Sequence, residues 1–141
     1  MEYLAGTEGD MLPQNISPQS AWDTLNMTPN AILVDVRTAE ELECDGRPDI
    51  SSASATMTHI PWRTLPGMQL NSNFGETLEE IAQDKNASLF FLCKSAIRSV
   101  EAGAYALSQG YTNCYNITQG TGDISQHGSW QGTNLPWRTD S

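Results

Sequence analysis

The residues best suited to chemistry lie in FLCKSAIRS, residues 91–99, where an apolar run ends at Leu92 and a helix-forming segment starts a few residues later. A turn from strand to helix aims successive backbone N–H groups, and the positive end of the helix, into its own concavity. Cys93 stands at the entrance of that turn, with Lys94 and Arg98 adding positive charge. Such a field favours thiolate over thiol and makes the cysteine nucleophilic. On the residues alone, this arrangement suits a sulfur carrier, a thiol-dependent phosphatase or a redox cysteine. It also suits an inert buried cysteine, because cysteine is among the residue types most often buried. The two flanking cations favour the chemical readings.

Other candidates are weaker. Asp35 and Arg37 close the apolar run 31–36; they could brace the Cys93 loop by hydrogen bonds, but an internal ion pair is favoured, since buried charges are normally paired. His59 lacks an acidic partner nearby in sequence for general acid–base work, and His127, in a glycine-rich stretch, fares no better. Cys114 reads as core. Cys44, in a segment rich in Asp and Gly, reads as an exposed bystander, with a resolving thiol as the alternative. The three cysteines include no CxxC pair and have no histidine at metal-ligand spacing, so neither a disulfide scaffold nor a zinc site is indicated.

The elements that must position these residues can be read from periodicity. Ser17 followed by Pro18 starts a helix whose apolar face holds Ala21, Trp22 and Leu25. Residues 31–36 and 88–92 are short, fully apolar runs, the pattern of strands buried on both faces. Thr38 with Glu41 forms a capping box that predicts a short helix over 39–43. Residues 44–55 read as a long loop and 57–61 as renewed order. Further helices are expected over 76–84 and 98–109, the latter stopped by Gly110, and a last strand over 114–117. Alternating helices and apolar strands favour an α/β domain with a parallel sheet covered on both faces. The expected limits are a flexible lead-in at 1–16, one domain at 17–137, into which Trp130 and Trp137 pack, and a tail at 138–141.

Whole-chain properties narrow the function. With 141 residues, 38% of them apolar, the chain suits one packed domain. Seventeen acidic residues against seven basic ones give a formal charge of −10, which disfavours nucleic acid and anionic membranes as partners. No apolar run approaches the ~20 residues needed to cross a bilayer, and the acidic start lacks the features of a targeting segment, so a cytoplasmic location is expected. The N-x-S/T triplets at Asn15, Asn26, Asn86 and Asn116 are therefore read as chance. Any anionic substrate must be held locally, by amides and nearby cations.

The stretch CKSAIRS resembles the active loop of the rhodanese family, in which arginine stands at the fifth position after cysteine and is followed by Ser or Thr, before a helix ending in Gly-Tyr, here Gly110 and Tyr111. DVRTAEEL at 35–42 is similar to the family's Asp-Val-Arg motif with its acidic pair, and His59, Ile60 and Pro61 match a segment that usually reads His-Ile-Pro. Trp130 with Leu135 and Pro136 matches the tail, so the likeness runs in order over about residues 17–137. Two features depart from the pattern: Ala96 replaces the usual mid-loop glycine, and Gly120-Thr121-Gly122 replaces Gly-Gly before an insertion reaching Trp130.

The resemblance implies a single rhodanese-like α/β domain, with a central parallel sheet of about five strands and helices on both faces. It implies sulfur transfer, with catalytic Cys93 taking a sulfane sulfur from thiosulfate or a persulfide and passing it to a thiol, cyanide or a protein cysteine. Lys94, Ser95, Ala96, Ile97 and Arg98 would bind substrate through loop amides and the two cations, with Asp35, Arg37 and Ser99 in support. No metal or organic cofactor is implied. A non-catalytic binding module of the same fold is the alternative. A phosphatase is disfavoured because only four residues separate Cys93 from Arg98, a cradle suited to sulfur rather than to a phosphoryl group.

Overall fold

A computed structural model describes residues 11–139. In chain order the elements are β1 (Gln14–Ile16), α1 (Pro18–Met27), β2 (Ala31–Asp35), α2 (Ala39–Asp45), β3 (Arg47–Pro48), β4 (Thr56–His59), β5 (Arg63–Thr64), β6 (Gln69–Leu70), α3 (Phe74–Ile81), β7 (Ser88–Leu92), α4 (Ile97–Ser108), β8 (Asn113–Ile117) and β9 (Trp137–Arg138). Five strands form the central sheet in the order β1-β8-β7-β2-β4, every pair parallel. This is the α/β architecture expected, with helices on both faces.

The apolar strands explain the layering. Successive side chains of a strand point to opposite faces. Leu89 and Phe91 of β7 therefore join Val34, Phe74, Leu78, Ala102 and Ala106 on the α3 and α4 side. Phe90 and Leu92 join Ala21, Leu25, Leu33, Ile117 and Trp130 on the α1 side. Each such side chain taken fully from water contributes about 1.5–3 kcal/mol, and β7, buried from Leu89 to Leu92, is the middle strand of the sheet.

Several boundaries moved. Gln14–Ile16, expected within a flexible lead-in, are one of the two edge strands of the sheet, paired with Tyr115, Asn116 and Ile117. A three-residue strand with one apolar side chain has no periodicity to read; its order comes from pairing with a distant strand. Residues 1–10 of the expected lead-in lie outside the described residues, as do 140 and 141 of the expected tail. Arg138, also assigned to that tail, pairs with Arg47 in β3–β9. Cys44, expected in a loop, lies in the last turn of α2, which runs on to Asp45 and ends at Gly46.

Candidate active site

The Cys93 loop is built from three directions. β7 delivers Cys93 directly after Leu92, whose carbonyl accepts a hydrogen bond from Val36 N at 2.8 Å. α4 begins at Ile97, so the turn is short, and it closes because Ala96 adopts φ 73° and ψ 12°, the left-handed region. Residues 120–122 strap the loop from the side: Thr121 N donates to Cys93 O at 2.8 Å and Gly122 N to Lys94 O at 3.0 Å. Gly120 is obligatory there, because its φ is +56° and a Cβ would fall 2.2 Å from Cys93 O.

With the loop carbonyls occupied on the outside, amides point inward. Ala96 N donates to Cys93 Sγ at 3.0 Å and Ser99 N does so at 3.4 Å, while Ser99 Oγ lies 3.3 Å from the sulfur. The Ser99 hydroxyl donates its proton to Asn116 Oδ1 at 2.5 Å, and Asn116 Nδ2 donates to Asn15 Oδ1 at 3.0 Å. A serine hydroxyl has one proton, so with that proton on Asn116 the Ser99 oxygen accepts from the Cys93 thiol. Cys93 itself is fully buried. Asn116 and Asn15 escaped the sequence reading, which saw them only as glycosylation triplets; the chain they form exists because β1 lies beside β8.

The other loop residues divide. Lys94, Ser95 and Ile97 face solvent, Ile97 at 68% exposure. Arg98 is turned toward α2, where Nη1 and Nη2 fork onto Glu41 Oε1 and Oε2 at 2.7 and 2.9 Å. Glu41 Oε1 also accepts from Thr38 N and Oγ1, completing the capping box of α2. Burial pushes the Glu41 carboxyl up, but the Arg98 and Thr38 hydrogen bonds and the Arg98 charge outweigh it, bringing it from 4.5 to about 2. The same fork raises Arg98, and the Cys93 sulfur is near enough to act on the guanidinium in the same direction. A cavity of about 310 Å³ borders Glu41, lined also by Thr38, Glu40, Cys44, Leu65 and Met68.

Asp35 and Arg37 form a buried ion pair, with Arg37 Nη2 2.7 Å from Asp35 Oδ2 and 3.0 Å from Gly46 O. The guanidinium also lies 5.5 Å from the centre of the Trp137 ring. The pair thus fastens the end of α2 to the end of β2, and the Asp35 charge also acts on Arg98, raising it. His59 Nε2 meets Arg37 O at 2.7 Å, a structural contact. Cys114 is core, and burial pushes its thiol up to about 12. Cys44 is exposed. Among the described residues no His, Cys, Asp or Glu cluster could hold a metal ion, and no helix is long and apolar enough to cross a membrane.

The rhodanese-like domain family model matches residues 17–127. The chain belongs to the rhodanese-like domain family. Among its relatives is an uncharacterized protein of Rickettsia rickettsii, 40% identical over 129 residues, covering 91% of this chain and 99% of that one. A protein of Allochromatium vinosum named a sulfurtransferase is 29% identical over 113 residues, covering 80% and 89%. Among solved structures, that of a Mycobacterium tuberculosis protein superposes with a TM-score of 0.77 at 32% identity, covering 90% and 98%. That of a polysulfide-sulfur transferase homodimer of Wolinella succinogenes, with a TM-score of 0.67 at 24% identity and coverage of 92% and 80%, shares the rhodanese-like fold.

Proposed function

We propose that the protein is a sulfurtransferase in which Cys93 carries a sulfane sulfur as a persulfide. The observation that carries this reading is the convergence of two backbone N–H groups, from Ala96 and Ser99, on the sulfur of a cysteine at the mouth of a helix. Amides so placed stabilise a sulfur anion without a mobile side chain and therefore with little reorganisation. The thiolate attacks the outer sulfur of thiosulfate or of a persulfide donor; the donor's S–S bond breaks as the Cys93–sulfur bond forms, and sulfite or a thiol leaves with the electron pair. An acceptor thiolate or cyanide then attacks the outer sulfur of the Cys93 persulfide and restores the thiolate. Membership in the rhodanese-like family and a relative named a sulfurtransferase support the reading.

The test compares native protein with Cys93→Ala, with sulfane donors supplied in turn and cyanide as acceptor. Native protein is expected to release thiocyanate and to show a mass increase of one sulfur atom on Cys93, both absent in the variant. If native protein neither gains the mass nor releases thiocyanate with any donor, the reading gives way to that of a non-catalytic binding module.

A further inference from the structure

Two arginines face each other across the short β3–β9 ladder. Arg47 and Arg138 are direct partners in its antiparallel register, so their side chains leave the same face with Cβ atoms about 4.5–5.5 Å apart. Like charges set opposite one another destabilise a ladder, yet this chain places two there with only seven basic residues against seventeen acidic ones. Both arginines border a cavity of about 270 Å³ that Asp49, Ser51, Thr58 and His59 also line. Arg47 Nε is buried and has no hydrogen-bond partner among the described residues, and none of the ion pairs among those residues involves Arg47. A guanidinium nitrogen taken from water without a partner is costly. Asp49 does not supply that partner. Its Oδ1 accepts from Ser51 N at 3.1 Å and from Ser51 Oγ at 2.7 Å. These bonds lower the Asp49 carboxyl, and the charge of Arg138 acts in the same direction.

We propose that this cavity is a binding site for a small tetrahedral oxoanion, a phosphate or sulfate group, held between the guanidinium groups of Arg47 and Arg138. A guanidinium presents its N–H groups in a planar fork that matches such oxygens, and one anion between two forks turns repulsion across the ladder into attraction. None of the residues lining the cavity belongs to the Cys93 loop, so the site is separate from the one proposed for sulfur transfer. It lies on the seam that fastens β9 to the rest of the domain, where Trp137 Nε1 donates to Asp45 O at 3.1 Å and Arg37 Nη2 to Gly46 O at 3.0 Å. An anion bound there stabilises the folded chain, because the pairing of Arg47 with Arg138 exists only when β3 and β9 are joined.

The experiment titrates the full chain with sodium phosphate, sodium sulfate and sodium acetate, ionic strength being held constant with sodium chloride, and follows binding by calorimetry and by Tm. Phosphate and sulfate are expected to bind saturably in the millimolar range, with Tm raised by about 4 °C at a tenfold excess of anion over Kd. Arg47→Gln and Arg138→Gln, the latter at an exposed position, should each weaken binding about tenfold, and Asp49→Asn should tighten sulfate about threefold by removing a like charge. Lys94→Gln, in the Cys93 loop, should leave the affinity unchanged. The proposal is overturned if neither oxoanion binds saturably over the chloride background, if acetate binds as tightly, or if both arginine variants bind as native protein does. Loss of binding in Lys94→Gln would overturn it too, by placing the anion at the Cys93 loop.

Discussion

Replacing Glu41 by Gln should destabilise the protein near neutral pH and cost little in acid. In the folded state the carboxyl is brought from 4.5 down to about 2. At about 1.4 kcal/mol for each tenfold change in proton affinity, that difference sets a ceiling of about 3 kcal/mol on what the charged form contributes. The Glu41 side chain retains 24% exposure and Arg98 17%, so solvent screening reduces the contribution to about 2 kcal/mol. Because the folded-state value is depressed, this stability is fully present above pH 4.5 and drains away as pH falls toward 2. Urea unfolding of native protein and Glu41→Gln at pH 7 and at pH 3 provides the assay. A gap of about 2 kcal/mol is expected at pH 7, seen also as a fall in Tm of about 4–8 °C, and it should shrink substantially at pH 3. An equal gap at the two pH values would mean that Glu41 acts through packing or capping rather than charge, and would refute the account of the Arg98 fork.

Two further substitutions probe the loop. Ala96→Gly removes the steric cost of about 1 kcal/mol that a Cβ incurs at φ 73° but adds backbone freedom to the unfolded chain; the net gain should be about 0.5 kcal/mol, and a lower Tm by calorimetry would count against strain at Ala96. Gly120→Ala sets a methyl group against Cys93 O and Lys94 O at a backbone angle suited to glycine. It should cost more than about 1 kcal/mol in urea unfolding and reduce sulfur loading of Cys93 by mass spectrometry, and near-native values for both would show that the strap can shift without disturbing the loop.

Much of the fold could be read along the chain because its signals are local. The apolar runs of β2 and β7, the Ser17 and Thr38 caps and the stop at Gly110 each depend on neighbours within a few residues, and the structure shows all of them. The order of Cys93, Lys94 and Arg98 around a strand-to-helix turn likewise sufficed to single out the loop, since the turn's amides follow from chain geometry. What a side chain meets across the sheet follows from no local rule. The capping box predicted the start of α2, yet only the tertiary fold brought Glu41 of α2 onto Arg98 in the first turn of α4 and converted an expected substrate cation into half of an ion pair. The link from Ser99 through Asn116 to Asn15 spans a hundred residues of sequence and depends on β1 joining the sheet edge. Sequence alone thus determined the fold class and singled out the loop proposed to carry the chemistry, because propensity and periodicity are short-ranged; the tertiary structure decided the charge and the hydrogen-bond partners around Cys93, because they are set by contacts between strands and helices far apart in the chain.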